Sequence, residues 1–412
     1  MKRILVVCAG LLAFVSPSFA VVNTWTGVAS DGLWATAGNW DQGHAPTASE
    51  NITIGDGVGV INLGGVTRSV GTGTVNLGNC TISNGVLGTA VNTTLIANGT
   101  RFAPNSGGLE NQAYNALGNV TMNNVRYNKD QATYPWVANQ GKSMSLSSSF
   151  IDLVNGYLTV DGDSGYGSST LGINGGTNYV QGLTMNNSQN YNTLQANVNL
   201  TNSILLVRGG GANLGYYGPA TVRLVNSTLG TYAGYSSAMN FRSNAVLISD
   251  GGVLTPRGTF SLAMTNQAQW SGDVTLRHVT GLTARDFEVA GVDYGITNFN
   301  TATGANYSLS RLQLGESGLG STMTLVNTYD NNTGTAGTEA LYVGTLELLA
   351  SSTINLNGLN LYYQQLQTNS FSLTVNGPGG LFMIPEPTAL ALLMLAGLAL
   401  WRRGAQRVER GA

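Results

Sequence analysis

"VNLTNSILLV" (Val198–Val207) and "VRLVNSTLGT" (Val222–Thr231) carry the same pair at the same point, Asn202-Ser203 in one and Asn226-Ser227 in the other. On either side, apolar and polar residues alternate with the two-residue period of a strand. "NAVLISDGGVL" (Asn244–Leu254) follows about one interval later, and "SRLQLGESGLGSTMTLVNT" (Ser310–Thr328) repeats the style further on. "VTMNNVRYN" (Val120–Asn128) is echoed by "LTMNNSQNYN" (Leu183–Asn192). Short alternating runs end in Asn-Gly, Asp-Gly or Gly-Gly turns, as in "NLGNCTISNGVLG" and "NGYLTVDGDSG". The body shows no amphipathic helix. Repeats of about 20–30 residues built from strands define a solenoid, and the expected fold is all-β: a right-handed parallel β-helix. Each coil would place Val, Leu and Ile inside and Thr, Ser and Asn outside. Two antiparallel sandwiches or a jelly roll are the competing architecture.

Composition agrees. Only 9% of the 412 residues are charged and 42% are apolar, with 56 glycines and 9 prolines. That is too apolar and too weakly charged for a disordered chain, and it suits a long body that pairs its strands and turns often.

The ends of the chain give the expected compartment. Lys2 and Arg3 precede the apolar stretch Ile4 to Val15, then small residues Ser18 and Ala20. This is the order of a secretory signal peptide over residues 1–20, cleaved after Ala20. Too little apolar sequence precedes Cys8 for a lipoprotein anchor. The mature chain keeps one cysteine, Cys80, so its stability must come from packing and backbone hydrogen bonds rather than a disulfide. At the other end, Thr388 to Trp401 forms an unbroken, mainly apolar run. As a helix that run covers about 21 Å, less than the ~30 Å of a hydrocarbon core. Pro385 and Pro387 block extension upstream, while Arg402, Arg403, Arg407 and Arg410 form a cytoplasmic stop. A thin transmembrane helix with so firm a stop suits a pause in export.

Pro385-Glu386-Pro387, a short apolar helix and terminal arginines together resemble the PEP-CTERM sorting signal of Gram-negative bacteria, over residues 385–412. The resemblance implies cleavage near the triplet by an exosortase-like membrane protease, after the secretion machinery has exported the chain, and delivery to the cell surface or extracellular matrix. Ahead of this tail, residues 377–384 read as a Gly/Pro linker and residues 61–376 as the solenoid body.

Residues 21–60 stand apart. Trp25, Trp34 and Trp40 cluster tightly, followed by Pro46 and the strand-like "NITIG". The pattern resembles the opening of autotransporter-like β-helical surface proteins. The rings would cap the apolar end of the first coil, as a solenoid requires. The sharper alternative is an aromatic platform that contacts carbohydrate.

Chemistry-bearing residues are sparse. Among two histidines, His44 follows the tryptophans and reads as a turn residue. Asp273, Thr275 and Arg277 would share one strand face and His278 the other, with the charges solvated. Asp161 and Asp163 form a D-x-D pair without the remaining ligands of a calcium loop, so no metal is expected. Asp286 and Glu288 would face the same way on a strand. No phosphate-binding loop or nucleophile elbow occurs, and no cofactor is implied. Without the signal and tail, 12 basic and 18 acidic residues leave a net charge near −6, with scattered cations that give no reason to bind nucleic acid.

The expected protein is therefore an exported, structural or adhesive surface protein, not an enzyme, with exopolysaccharide as its expected ligand. The alternative is a secreted β-helical polysaccharide lyase or glycoside hydrolase, which would need charged side chains converging in one groove.

Overall fold

The computed structural model describes residues 21–384 except 71–72, 90–92, 104–106, 112–118, 130–135, 139–140, 163–166, 187–193, 297–304 and 332–338. The expected signal peptide with Ala20, the Pro385-Glu386-Pro387 triplet, the apolar tail with its four arginines, and Asp163 lie outside the described residues. No described helix is long and apolar enough to cross a membrane.

The chain forms a parallel β-helix. Three strand segments make one coil, and each pairs in parallel with its counterpart one coil later. On the first face, Ile52 pairs with Val75, Val75 with Leu95, Leu95 with Val120 and Val120 with Met144. The same column continues through Leu171, Val198, Val222, Leu247 and Trp270. Each step is one coil, and its length stays close to the small unit from which solenoids are built. The two Asn-Ser phrases form one of these steps, with Val198 paired to Val222. Among the described strands the pairing is parallel except where Gly291–Val292 meets Glu339–Ala340.

The Asn-Ser pair marks the corner between the first and second faces. Gly99, Asn124, Ser148, Gly175, Asn202, Asn226 and Gly251 occupy this corner in seven consecutive coils, all with left-handed backbone. Glycine and asparagine are the residues that accept this conformation most readily. The corner amides keep the ladder running: Asn202 N–H donates to Val225 O at 2.9 Å and Asn226 N–H to Asp250 O at 2.8 Å. The serine that follows turns inward, where Ser203 N–H donates to Ser227 Oγ at 3.1 Å. Ser203 and Ser227 are both buried, yet each hydroxyl is satisfied, so the corner leaves no polar orphan there.

Inside, columns of like residues stack. Val198, Leu200, Val222, Leu224 and Leu247 are fully buried in one continuous core. Each such side chain contributes roughly 1.5–3 kcal/mol of transfer free energy. Outside, amides form ladders: Asn123 donates to Asn98 at 2.9 Å and Asn240 to Asn213 at 2.8 Å.

The repeat "VTMNN" and "LTMNN" is not structural. Val120 belongs to the first face, stacked on Met144. Leu183 belongs to the third face, stacked on Leu158 and Ala212. One apolar-polar-apolar-Asn phrase fits any face of the coil, so the words recur without the position.

Both ends are specific. At the start, Val22–Thr24 pairs with Asn51–Ile54, and Trp25 bridges Trp40. At the other end, Gly380–Met383 pairs in register with Asn360–Tyr363. Within the expected linker over 377–384, Gly380–Met383 is thus a final strand. Its Phe382 ring stacks on Tyr362, which stacks on Tyr342, at 5.2 and 4.8 Å. Asp293 and Tyr294 lie against this stack. Tyr294 N–H donates to the Tyr342 hydroxyl at 2.8 Å, and Asp293 accepts from the Tyr362 hydroxyl at 2.8 Å.

Candidate functional site

The outer side of the second face carries a continuous strip of rings and guanidinium groups. In one column of that face Thr81, Arg101, Arg126 and Phe150 occupy consecutive coils. In the next column Asp152 pairs with Tyr179. The Arg126 guanidinium lies 5.5 Å from the centre of the Phe150 ring, and Phe150 meets Tyr179 edge-on at 6.0 Å. Tyr179 meets Tyr232 at 5.2 Å, and Tyr232 lies 6.1 Å from Tyr235.

Arg208 joins the series by an irregularity of register. Val180 pairs with Val207 and Gly182 with Gly211, so Arg208, Gly209 and Gly210 stand opposite the single residue Gln181. The two extra residues let Arg208 reach back across two coils to Asp152, where Nη1 donates to Oδ1 at 2.6 Å. Its guanidinium sits 5.5 Å from the Tyr179 ring and 5.3 Å from the Tyr232 ring. Such contacts favour a planar cation over a flexible ammonium. Ser237 donates to the Arg208 carbonyl, which fixes the backbone as well. Arg208 is only 8% exposed, so it stiffens the strip rather than meeting solvent.

Tyr157 lies over the floor that these glycines leave. A Cβ on Gly182 would fall 2.4 Å from the Tyr157 ring, and one on Gly210 2.7 Å from it. Glycine at both positions is therefore what lets the ring lie across successive coils. Tyr157 is 40% exposed, Tyr232 36% and Tyr235 39%. Tyr157 stands on a strand and Tyr232 and Tyr235 on the turn that follows Thr228–Thr231, and the three phenol rings present an apolar body and a hydroxyl to solvent.

The residues singled out in the sequence lie elsewhere. Trp25, Trp34 and Trp40 are buried at 7%, 2% and 3% exposure. Trp40 packs edge-on against Trp25 at 5.1 Å and Trp34 at 4.8 Å, and its Nε1–H donates to Trp34 O at 2.8 Å. They cap the first coil and leave no ring face broad enough to stack on a sugar, which corrects the carbohydrate-contact alternative. His44 is half-exposed, with Nε2 3.4 Å from Glu50 Oε1.

His278 is fully buried beside Phe287, and its Nδ1 lies 2.6 Å from Ser321 Oγ. Burial pushes its pKa down to about 3, so the ring is neutral. This serine–histidine contact faces the core, where no substrate reaches. Asp273 is exposed and Arg277 donates to Gln313 at 2.8 Å on the outer side, as the strand period required. Asp286 and Glu288 share the outer face of their strand, opposite Thr324 and Val326 with the core residue Phe287 between them, but only Asp286 is exposed; Glu288 is covered and accepts from the Thr328 and Tyr329 amides at 2.7 and 2.8 Å. Burial raises its pKa. Asp161 is buried. Among the described residues no group of three or more His, Cys, Asp or Glu could hold a metal ion. Cys80 is buried, and burial pushes its thiol up to about 11, far from a reactive thiolate.

The fold defines a parallel β-helix with an aromatic and cationic strip on one outer face. The chain matches no protein-family model, no curated protein and no solved structure.

Proposed function

We propose that this is an exported surface or extracellular-matrix protein whose β-helix is a rigid rod that adheres to polysaccharide through the second-face strip. The observation that carries the reading is the solvent-facing Tyr157, Tyr232 and Tyr235 set, held by Arg208 and by the glycine floor. Phenol rings stack on the apolar faces of sugars while their hydroxyls bond sugar hydroxyls. A rod that repeats its outer columns makes many weak contacts at once, so modest single-site affinity becomes firm attachment. The Pro385-Glu386-Pro387 signal, with its apolar segment and arginines, supports export and release by an exosortase-like protease.

The test is affinity electrophoresis of the full chain through gels containing dextran. Tyr157→Ala and Tyr235→Ala should each weaken retention, by roughly 2- to 10-fold if each ring contributes about 0.5–1.5 kcal/mol. Retention equal to wild type in the double variant, or steady appearance of new reducing or unsaturated ends, would overturn the adhesive reading.

A further inference from the structure

At the amino-terminal end of the strip, Arg101 and Arg126 are register neighbours on consecutive coils. Both are exposed. Neighbouring parallel strands lie about 4.8 Å apart, and like charges directly opposite each other are unfavourable. Three other arginines are paired with acids on other coils: Arg208 with Asp152 at 2.6 Å, Arg257 with Glu316 at 2.6 Å and Arg311 with Glu347 at 2.9 Å. Arg101 and Arg126 make no ion pair with any described residue. They instead line an open cleft of about 610 Å³ with Asn79, Asn124, Ser148 and Phe150. The cleft thus offers two guanidinium forks, amide and hydroxyl groups, and one aromatic edge.

We infer that this cleft binds an acidic sugar unit, a carboxylate-bearing residue of a polyanionic glycan, with the carboxylate held between Arg101 and Arg126. The inference rests on the proposed adhesion to polysaccharide and deepens it by naming the class of sugar. A carboxylate answers two needs together, since it takes paired N–H donors and removes the repulsion between the guanidinium groups. Phe150 continues from the cleft to Tyr179 and the neutral tyrosine platform, so one glycan chain can lie along the strip with its charged unit at this end. A single arginine pair on a body of net negative charge favours a sparsely charged glycan over the dense phosphates of nucleic acid.

The test compares wild type with the full-chain double variant Arg101→Gln, Arg126→Gln. Both positions are exposed, and far-ultraviolet circular dichroism checks that the coils persist. Three probes are used: polygalacturonate, dextran and single-stranded DNA. Wild type should bind polygalacturonate more tightly than dextran, with the excess falling as salt is added. The double variant should lose about tenfold on polygalacturonate, the factor of 1.4 kcal/mol, and nothing on dextran. Unchanged polygalacturonate binding by the double variant would overturn the inference alone, as would wild-type binding to dextran without preference for the acid. DNA bound more tightly than polygalacturonate through the same arginines would also overturn it. Wild type that binds neither glycan would remove both this inference and the adhesive reading.

Discussion

Replacing His278 by asparagine should make the acid stability of the solenoid less steep, and the size of the change follows from burial. The imidazole is fully buried and neutral, with a pKa near 3 against an ordinary value of 6.5. Between those values the unfolded chain binds a proton that the native chain refuses. Stability therefore rises with pH across this window and is lost as pH falls from about 6.5 towards 3. At pH 4.5, two units below the unfolded value, the loss is about 2.7 kcal/mol at ~1.36 kcal/mol per unit. Asparagine can keep the contact with Ser321 Oγ, at the cost of a small void worth about 1–3 kcal/mol at neutral pH. It does not titrate. The difference between wild type and His278→Asn should thus shrink by about 2.7 kcal/mol between pH 7.5 and pH 4.5, even though both share every carboxylate. Because solenoids open by segments, the reading is best taken locally, from hydrogen exchange at the Leu276 and Leu312 amides on the strands around His278. A wild-type-to-variant difference that stays constant with pH would refute the reasoning.

Two more outcomes follow from other parts of the chain. Asn226→Val places a β-branched residue at φ 46° and should lower stability by about 1–2 kcal/mol, whereas Asn226→Gly should be near neutral; equal urea midpoints for both would show that the corner does not need left-handed backbone. Replacing Pro385, Glu386 and Pro387 by alanine should retain full-length protein in the inner membrane, as seen by fractionation and immunoblot, and undiminished release would remove the sorting proposal.

The fold is legible because one corner is written in the sequence. Asn202 and Asn226 share a left-handed backbone, and the strands they join stack Val198 on Val222 as the echo of the two phrases implies. The longer coils after Thr275 are not legible, since the register jumps from Thr275 to Arg311 and again from Arg311 to Thr345, each time well beyond one ordinary coil. A repeat that stretches this far loses its phase. Alternation puts His278 on the correct face of its strand, but it cannot say that the far face meets Ser321 and Phe287 in the core. The strip is hidden for a related reason. Arg126, Phe150, Tyr179 and Arg208 come from four successive coils, and only the pairing register shows them as neighbours. Writing the sequence in rows of one coil puts Arg101, Arg126 and Phe150 in a column. Arg208 still escapes, because its bulge breaks the row.

A column on the outside of a β-helix amplifies whatever stands in it, since each side chain meets nearly the same neighbour every ~4.8 Å. For amides this is cohesive, as in the Asn123–Asn98 pair at 2.9 Å. For rings it gives stacks such as Tyr342, Tyr362 and Phe382. For like charges it is a standing cost, which explains why Arg311 turns to Glu347 and Arg208 crosses two coils to reach Asp152. A chain with so few charges has ample neutral residues for such positions, and threonine stands next to Arg101 in its own column at Thr81. Stability alone would therefore replace one arginine of the Arg101–Arg126 neighbours. A carboxylate bound as inferred for this cleft would remove that cost, turning a column that is unfavourable in the free rod into its anion contact.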